Sequence, residues 1–147
     1  MKTIRLTLLF AVLCGLTLAT RAADRASIQG ILISASNEAG QTDRRLAQYE
    51  PTLRKILRFE SYKFLGDDSA SLDVPASGSL TLGDGHELEV ITEKADGNSI
   101  HVKVRWTGGG RTLMNTGLVL RPGVPAVLGG PSTGNKGEVY AVILIGR

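Results

Sequence analysis

Two histidines, His86 and His101, are the side chains whose ordinary pKa suits them to move protons near neutrality. Metal binding needs several ligands at set spacings. With two histidines, one cysteine and no HExxH pattern, the sequence offers no metal site. Nucleophilic catalysis needs a hydroxyl activated by a base, and neither a G-x-S-x-G elbow nor an S-x-x-K motif occurs. Asp67, Asp68 and Asp84 have the right chemistry for acid–base work or calcium. Each stands among glycines and serines, where aspartate favours turns by bonding to nearby backbone. Both histidines read as surface residues, His101 on an outer strand face and His86 just after a Gly83-Asp84-Gly85 turn. These patterns assign no catalytic residue, metal or cofactor.

Two other stretches carry groups suited to contact with a partner. Residues 129–137 (GGPSTGNKG) look at first like a phosphate loop. A Walker loop needs Lys directly after the second Gly, then Ser or Thr, then a helix; here Asn135 intervenes, Gly137 follows Lys136, and strand-like sequence comes next. A nucleotide is therefore excluded. The stretch reads instead as a flexible connection between two strands, with Ser132, Thr133, Asn135 and Lys136 available to a partner. Arg54, Lys55 and Arg58, with Arg44 and Arg45 upstream, make the one locally basic region, suited to an acidic partner or an anionic surface.

The start of the chain has the three zones of a cleavable signal peptide. Lys2 and Arg5 precede an uncharged apolar stretch over residues 6–19, and Thr20 to Ala23 turn small and polar. A spanning helix needs about 20 apolar residues, which this stretch does not reach. Cleavage is expected after Ala22, giving a leader over residues 1–22 and a single exported domain over residues 23–147; Arg21 is unusual at such a site, and an uncleaved anchor is the alternative. Cys14, the only cysteine, leaves with the leader, so no disulfide or thiol chemistry is expected in the domain. The whole chain carries a net charge of +3. Lys2, Arg5 and Arg21 account for all of it, and a neutral domain has no global field for nucleic acid.

The elements that must position these groups follow from apolar spacing. Residues 27–35 (SIQGILISA) read as a strand ending at the loop signal Asn37-Glu38-Ala39-Gly40. Asp43 can cap a helical stretch whose Leu46, Tyr49, Leu53, Ile56 and Leu57 share one face. Pro51 fits only a first helical turn, which predicts a restart at Glu50-Pro51. From Phe59 onward the period is two. Strands are expected over 59–65, 69–74, 77–82, 87–93, 99–106, 112–120, 124–128 and 138–145. Matching the apolar faces of 87–93 and 99–106 calls for an odd loop, Asp96-Gly97-Asn98 with Asn98 left-handed, setting Glu93 by His101 and Glu89 by Arg105. The last strand (VYAVILI) is apolar on both faces, as a central strand covered on each side would be.

The run from Arg121 to Gly130, followed by Glu138 to Ile145, resembles the hairpin near the end of bacterial outer-membrane secretins. There a G-x-x-x-x-L-G-G strand precedes an E-L-V-V-L-L-T-P strand. Pro131 and the terminal Arg147 depart from that pattern. The leader, basic helix and F-x-S-Y-x-F-L strand also resemble small exported proteins of Gram-negative bacteria. Neither resemblance supplies a catalytic residue. The expected fold is mainly β (α+β), an antiparallel sandwich or open barrel of about eight or nine short strands with one basic helical segment near the N-terminus. The expected function is a non-enzymatic binding or structural module of the periplasm or cell envelope, accessory to a secretion or envelope complex. Its partner would be an envelope protein or an anionic surface. The alternatives are a small hydrolase with a Ser–His or Asp-based site, and a membrane-surface protein attached through the basic helix.

Overall fold

A computed structural model describes residues 25–147; the expected leader, its cleavage point and Cys14 lie outside the described residues. The domain is mainly β. Its strands are β1 (Arg25–Ser36), β2 (Ser61–Asp73), β3 (Ala76–Gly83), β4 (His86–Asp96), β5 (Ser99–Gly108), β6 (Arg111–Leu120), β7 (Ala126–Ser132) and β8 (Glu138–Gly146). They form two antiparallel four-stranded sheets, ordered β2-β1-β8-β7 and β3-β4-β5-β6, with no closed barrel. Among the described residues no helix is long and apolar enough to cross a membrane.

The apolar face of the second sheet packs on the first through Leu80, Leu88, Val90, Val104 and Trp106, which meet Ile28, Leu32, Val142 and Leu144. The opposite face of the first sheet carries Ile31, Ile33, Ala35, Ala141, Ile143 and Ile145, and these pack with Leu46, Leu53 and Tyr62. β1 and β8 are therefore covered on both sides, as the two-sided sequence of β8 predicts. Burying each such Leu, Ile or Val contributes about 1.5–3 kcal/mol, so this pair concentrates the hydrophobic gain.

The second covering layer comes from the stretch after β1. Asp43 Oδ1 accepts the Arg45 N–H at 3.0 Å and caps a 3₁₀ turn, Arg44–Leu46. A separate helix, α1 (Glu50–Leu57), restarts with Pro51 in its first turn and ends at Arg58 in the left-handed conformation (φ 56°). The restart rotates the apolar face. Leu46 and Leu53 are buried, whereas Ile56, expected on that face, is 52% exposed.

Three expectations about the strands need correction. Residues 59–65 and 69–74 are not separate strands. β2 runs through Gly66, Asp67 and Asp68 with a register shift opposite Leu32 and Ile33, so those aspartates are strand residues and not turn residues. Gly66 permits the close crossing of β2 and β3, because a Cβ there would lie 1.8 Å from the Leu82 carbonyl oxygen. The first strand, expected from Ser27, already begins at Arg25, which pairs with Asp73. The β4–β5 turn is Gly97-Asn98, closing the pair Asp96–Ser99, with Gly97 and not Asn98 left-handed (φ 62°). Face parity is restored by a bulge between Thr92 and Lys94, which sets Lys94 opposite His101; Glu89 does pair with Arg105.

The sheets are joined at the β2–β3 corner by two polar devices. Asp68 Oδ2 accepts the Thr81 N–H at 2.9 Å. The buried Thr92 hydroxyl donates to the Asp73 carbonyl at 2.6 Å and accepts the Ala76 N–H at 2.8 Å. Thr92→Val strands both backbone groups and is expected to cost about 1–3 kcal/mol by chemical denaturation. A change of only a few tenths would show that water satisfies the corner instead.

Candidate functional site

The seven residues expected to contact a partner fall on two separate segments. Arg54 pairs with Glu50 at 2.9 Å, one turn away, and donates to the Glu60 carbonyl at 2.9 Å, so its guanidinium braces the end of its own helix. Lys55 and Arg58 are exposed. The loop expected over residues 129–137 is shorter, because β7 continues through Gly129, Gly130 and Pro131 across a register shift until Ser132 pairs with Val139. Trp106 explains that path. A Cβ on Gly130 would meet its ring at 2.3 Å, so glycine lets β7 lie against the indole.

In the remaining turn, residues 133–137, most polar groups hold the turn itself. Thr133 Oγ1 donates to Glu138 Oε1 at 2.9 Å, Asn135 Nδ2 donates to the same oxygen at 3.3 Å, and Ser132 Oγ accepts the Gly134 N–H at 3.1 Å. Lys136 is exposed.

The turn and the helix lie toward one end of the first sheet, where backbone bonds gather three connections. Asn37 N–H donates to the Gly137 carbonyl at 3.0 Å, and Glu60 N–H donates to the Ser36 carbonyl at 2.9 Å. Ser61 Oγ donates to the Glu38 carbonyl at 3.1 Å. Between these connections opens a cavity of about 380 Å³. Ser34, Ser36 and Ser61 line it with Glu38, Glu138 and Lys63. Asp43 also lines it, but its carboxylate is engaged by Arg45, whose side-chain hydrogen bond holds it down to about 2. Ser36 Oγ accepts the Glu38 N–H at 3.1 Å and Glu138 holds the turn, so the lining offers the remaining capacity of its hydroxyls and carboxylates, with an acidic bias that suits a hydrogen-bonding neutral or cationic group.

None of the seven expected residues lines this cavity; they flank it. Its lining comes from β1, β2, β8 and the loop after β1, segments far apart in the chain. Only the loop signal at residues 37–40 and the Asp43 cap marked any of it, and neither says that Ser61 on the neighbouring strand joins them.

His86 is not a surface residue. It is 6% exposed, because β4 begins at His86 itself and its side chain points inward with Leu88 and Val90. Trp106 Nε1–H donates to His86 Nδ1 at 2.9 Å, which fixes the neutral ring with its proton on Nε2. Tyr140 packs on the imidazole with ring centroids 4.4 Å apart, and its hydroxyl donates to Asp84 Oδ2 at 3.1 Å. Asp84 takes the left-handed conformation at φ 53° in the turn before β4. His101 is half-buried, opposite Lys94 and Val119. Among the described residues, no serine hydroxyl hydrogen-bonds either histidine, and no cluster of three or more His, Cys, Asp or Glu has a metal-holding arrangement.

Burial lowers the pKa of His86 from its ordinary 6.5, with the Asp84 charge opposing the shift. Below that ordinary value the unfolded chain binds a proton that the folded chain refuses. Stability therefore falls as the pH drops from 6.5 toward the folded pKa and levels off beneath it. His86→Gln, which keeps an acceptor for Trp106, is expected to flatten the denaturation midpoint between about pH 7.5 and 5.5. Parallel curves for variant and parent would contradict this.

The chain matches no protein-family model, no curated protein and no solved structure.

Proposed function

We propose that the protein is an exported, non-enzymatic binding module of the periplasm or cell envelope, accessory to a secretion or envelope complex. The observation that carries this reading is the gathering of three connections around an open polar cavity, at the end of a sandwich whose packed core lies elsewhere. Binding surfaces are commonly built from loops held by a packed sandwich. The exposed cations Lys55, Arg58 and Lys136 flank this end and would steer an acidic partner. The export reading rests on the leader-like first residues, and the envelope reading on the resemblances to secretins and small exported proteins.

A second reading, attachment to an anionic membrane surface, draws on one feature of α1. Ile56 stands 52% exposed next to Lys55 and near Arg58, the pairing of apolar and basic groups that lipid headgroups favour.

Fractionation followed by in vivo crosslinking and mass spectrometry separates the two. The envelope-partner reading expects a protein crosslink in the periplasmic or envelope fraction that weakens when Lys55, Arg58 and Lys136 become Ala and when Ser36 and Ser61 become Ala, with melting unchanged. A cytoplasmic location, or a crosslink indifferent to both sets, would overturn it. Flotation with anionic vesicles, lost in Ile56→Asn, would favour the membrane reading instead.

A further inference from the structure

The two sheets have four edge strands, β2 and β7 in one, β3 and β6 in the other. Exposed edges invite pairing with another chain, and proteins blunt them with charge, proline or bulges. β2 carries Lys63, Asp67, Asp68 and Asp73 and a register shift. β3 lies against β2, tied to it through Asp68 and Thr92. β7 contains Pro131 and breaks register after Gly129. β6 is guarded only at its first end, where Arg111 is charged and a bulge leaves Leu113 without a partner on β5. Residues 112–120 (TLMNTGLVL) contain no charge and no proline, and pairing with β5 is unbroken from Met114 to Leu120.

That edge is open. Among the described residues, no backbone hydrogen bond joins Arg111–Leu120 to any strand other than β5. Leu113, Met114 and Leu118 are only partly buried against the core, and Val119 is 50% exposed.

We propose that β6 is a pairing edge through which two copies of this chain join antiparallel, extending the β3-β4-β5-β6 sheet across a two-fold axis at Thr116. The strand is complementary to itself in that register. Met114 faces the partner's Leu118 on the core side, where the bulge also turns Leu113, and Val119 lies on the outer face of the pair. Asn115 faces the partner's Gly117, where the outer surface has room: a Cβ on Gly117 would meet only the Val102 carbonyl oxygen, at 3.9 Å. Thr116 meets its own copy. No like charges oppose each other within the paired stretch. Arg111 and the partner's Arg121 meet only beyond its ends, where both side chains stand in water. An isologous contact of this kind closes after two copies and leaves no edge for further growth.

The test is sedimentation velocity of the full chain over a concentration series. The expected result is a reversible monomer–dimer equilibrium, weakened at least about tenfold by Thr116→Lys, which places two ammonium groups at the axis. Val119→Lys changes a half-exposed residue the fold does not need, and is expected to weaken the dimer in the same direction. In a Cys14→Ser background, Thr116→Cys is expected to form a disulfide dimer, because directly opposed strand residues lie within disulfide reach. Ser79→Cys on β3 should not. A chain that stays monomeric throughout, whether or not a foreign strand binds it, would overturn the proposal. So would a dimer indifferent to both lysines, or equal crosslinking from Ser79→Cys.

Discussion

β1 and β8 hydrogen-bond to each other from Ile28–Gly146 to Ser36–Glu138, and both bury side chains on the two faces of their sheet. A strand pair apolar on both faces cannot stand alone in water. It requires one cover above and one below, and the chain supplies a whole sheet for one and the Arg44–Leu46 turn with α1 for the other. The remaining architecture follows from meeting that demand. β2 and β7 flank the pair, and β3 must leave β2 at a sharp corner so that the second sheet can fold over the first. The polar groups of Asp68 and Thr92 satisfy the backbone that this corner exposes.

The same demand sets where polar chemistry can lie. The sandwich interior has no space for it, apart from Thr92 and the His86–Trp106 pair, where each buried polar atom is matched to another. The cavity lies where β1, β2 and β8 run out and their connections have to meet. Serines appear there because the apolar run of β1 ends, at Ser34 and Ser36. The site is thus a by-product of strand termination as well as a candidate for binding, and its acidic bias distinguishes it from the basic groups on its flanks.

Much of this was legible in the residues. Apolar spacing put a strand at each of the eight, although it split β2 in two; the two-sided run of Val139 to Ile145 announced a central strand, and Pro51 marked the helix restart. What escaped has a common physical cause. A bulge adds one residue and inverts every face beyond it without any compositional mark, as at Leu65, at Glu93 and between Gly129 and Ser132. His86 was misplaced by a single position. Taking the strand to start at Glu87 leaves the imidazole in the turn, whereas starting it at His86 points the ring inward beside Trp106. The cavity was illegible for a different reason, since its lining is assembled from the ends of three strands that only the topology brings together.

Burial on both faces concentrates stability in the β1–β8 pair, leaving the connections around the cavity and the β6 edge free to serve contact. Native-state hydrogen exchange measures this residue by residue. Amides at the centre of β1 and β8, such as Ile33 and Val142, are predicted to exchange only through global unfolding, with an opening free energy equal to that from denaturation. Those of α1 and the loop after β1 are predicted to open at lower cost. Central β8 amides exchanging as readily as the edge strands would contradict the account.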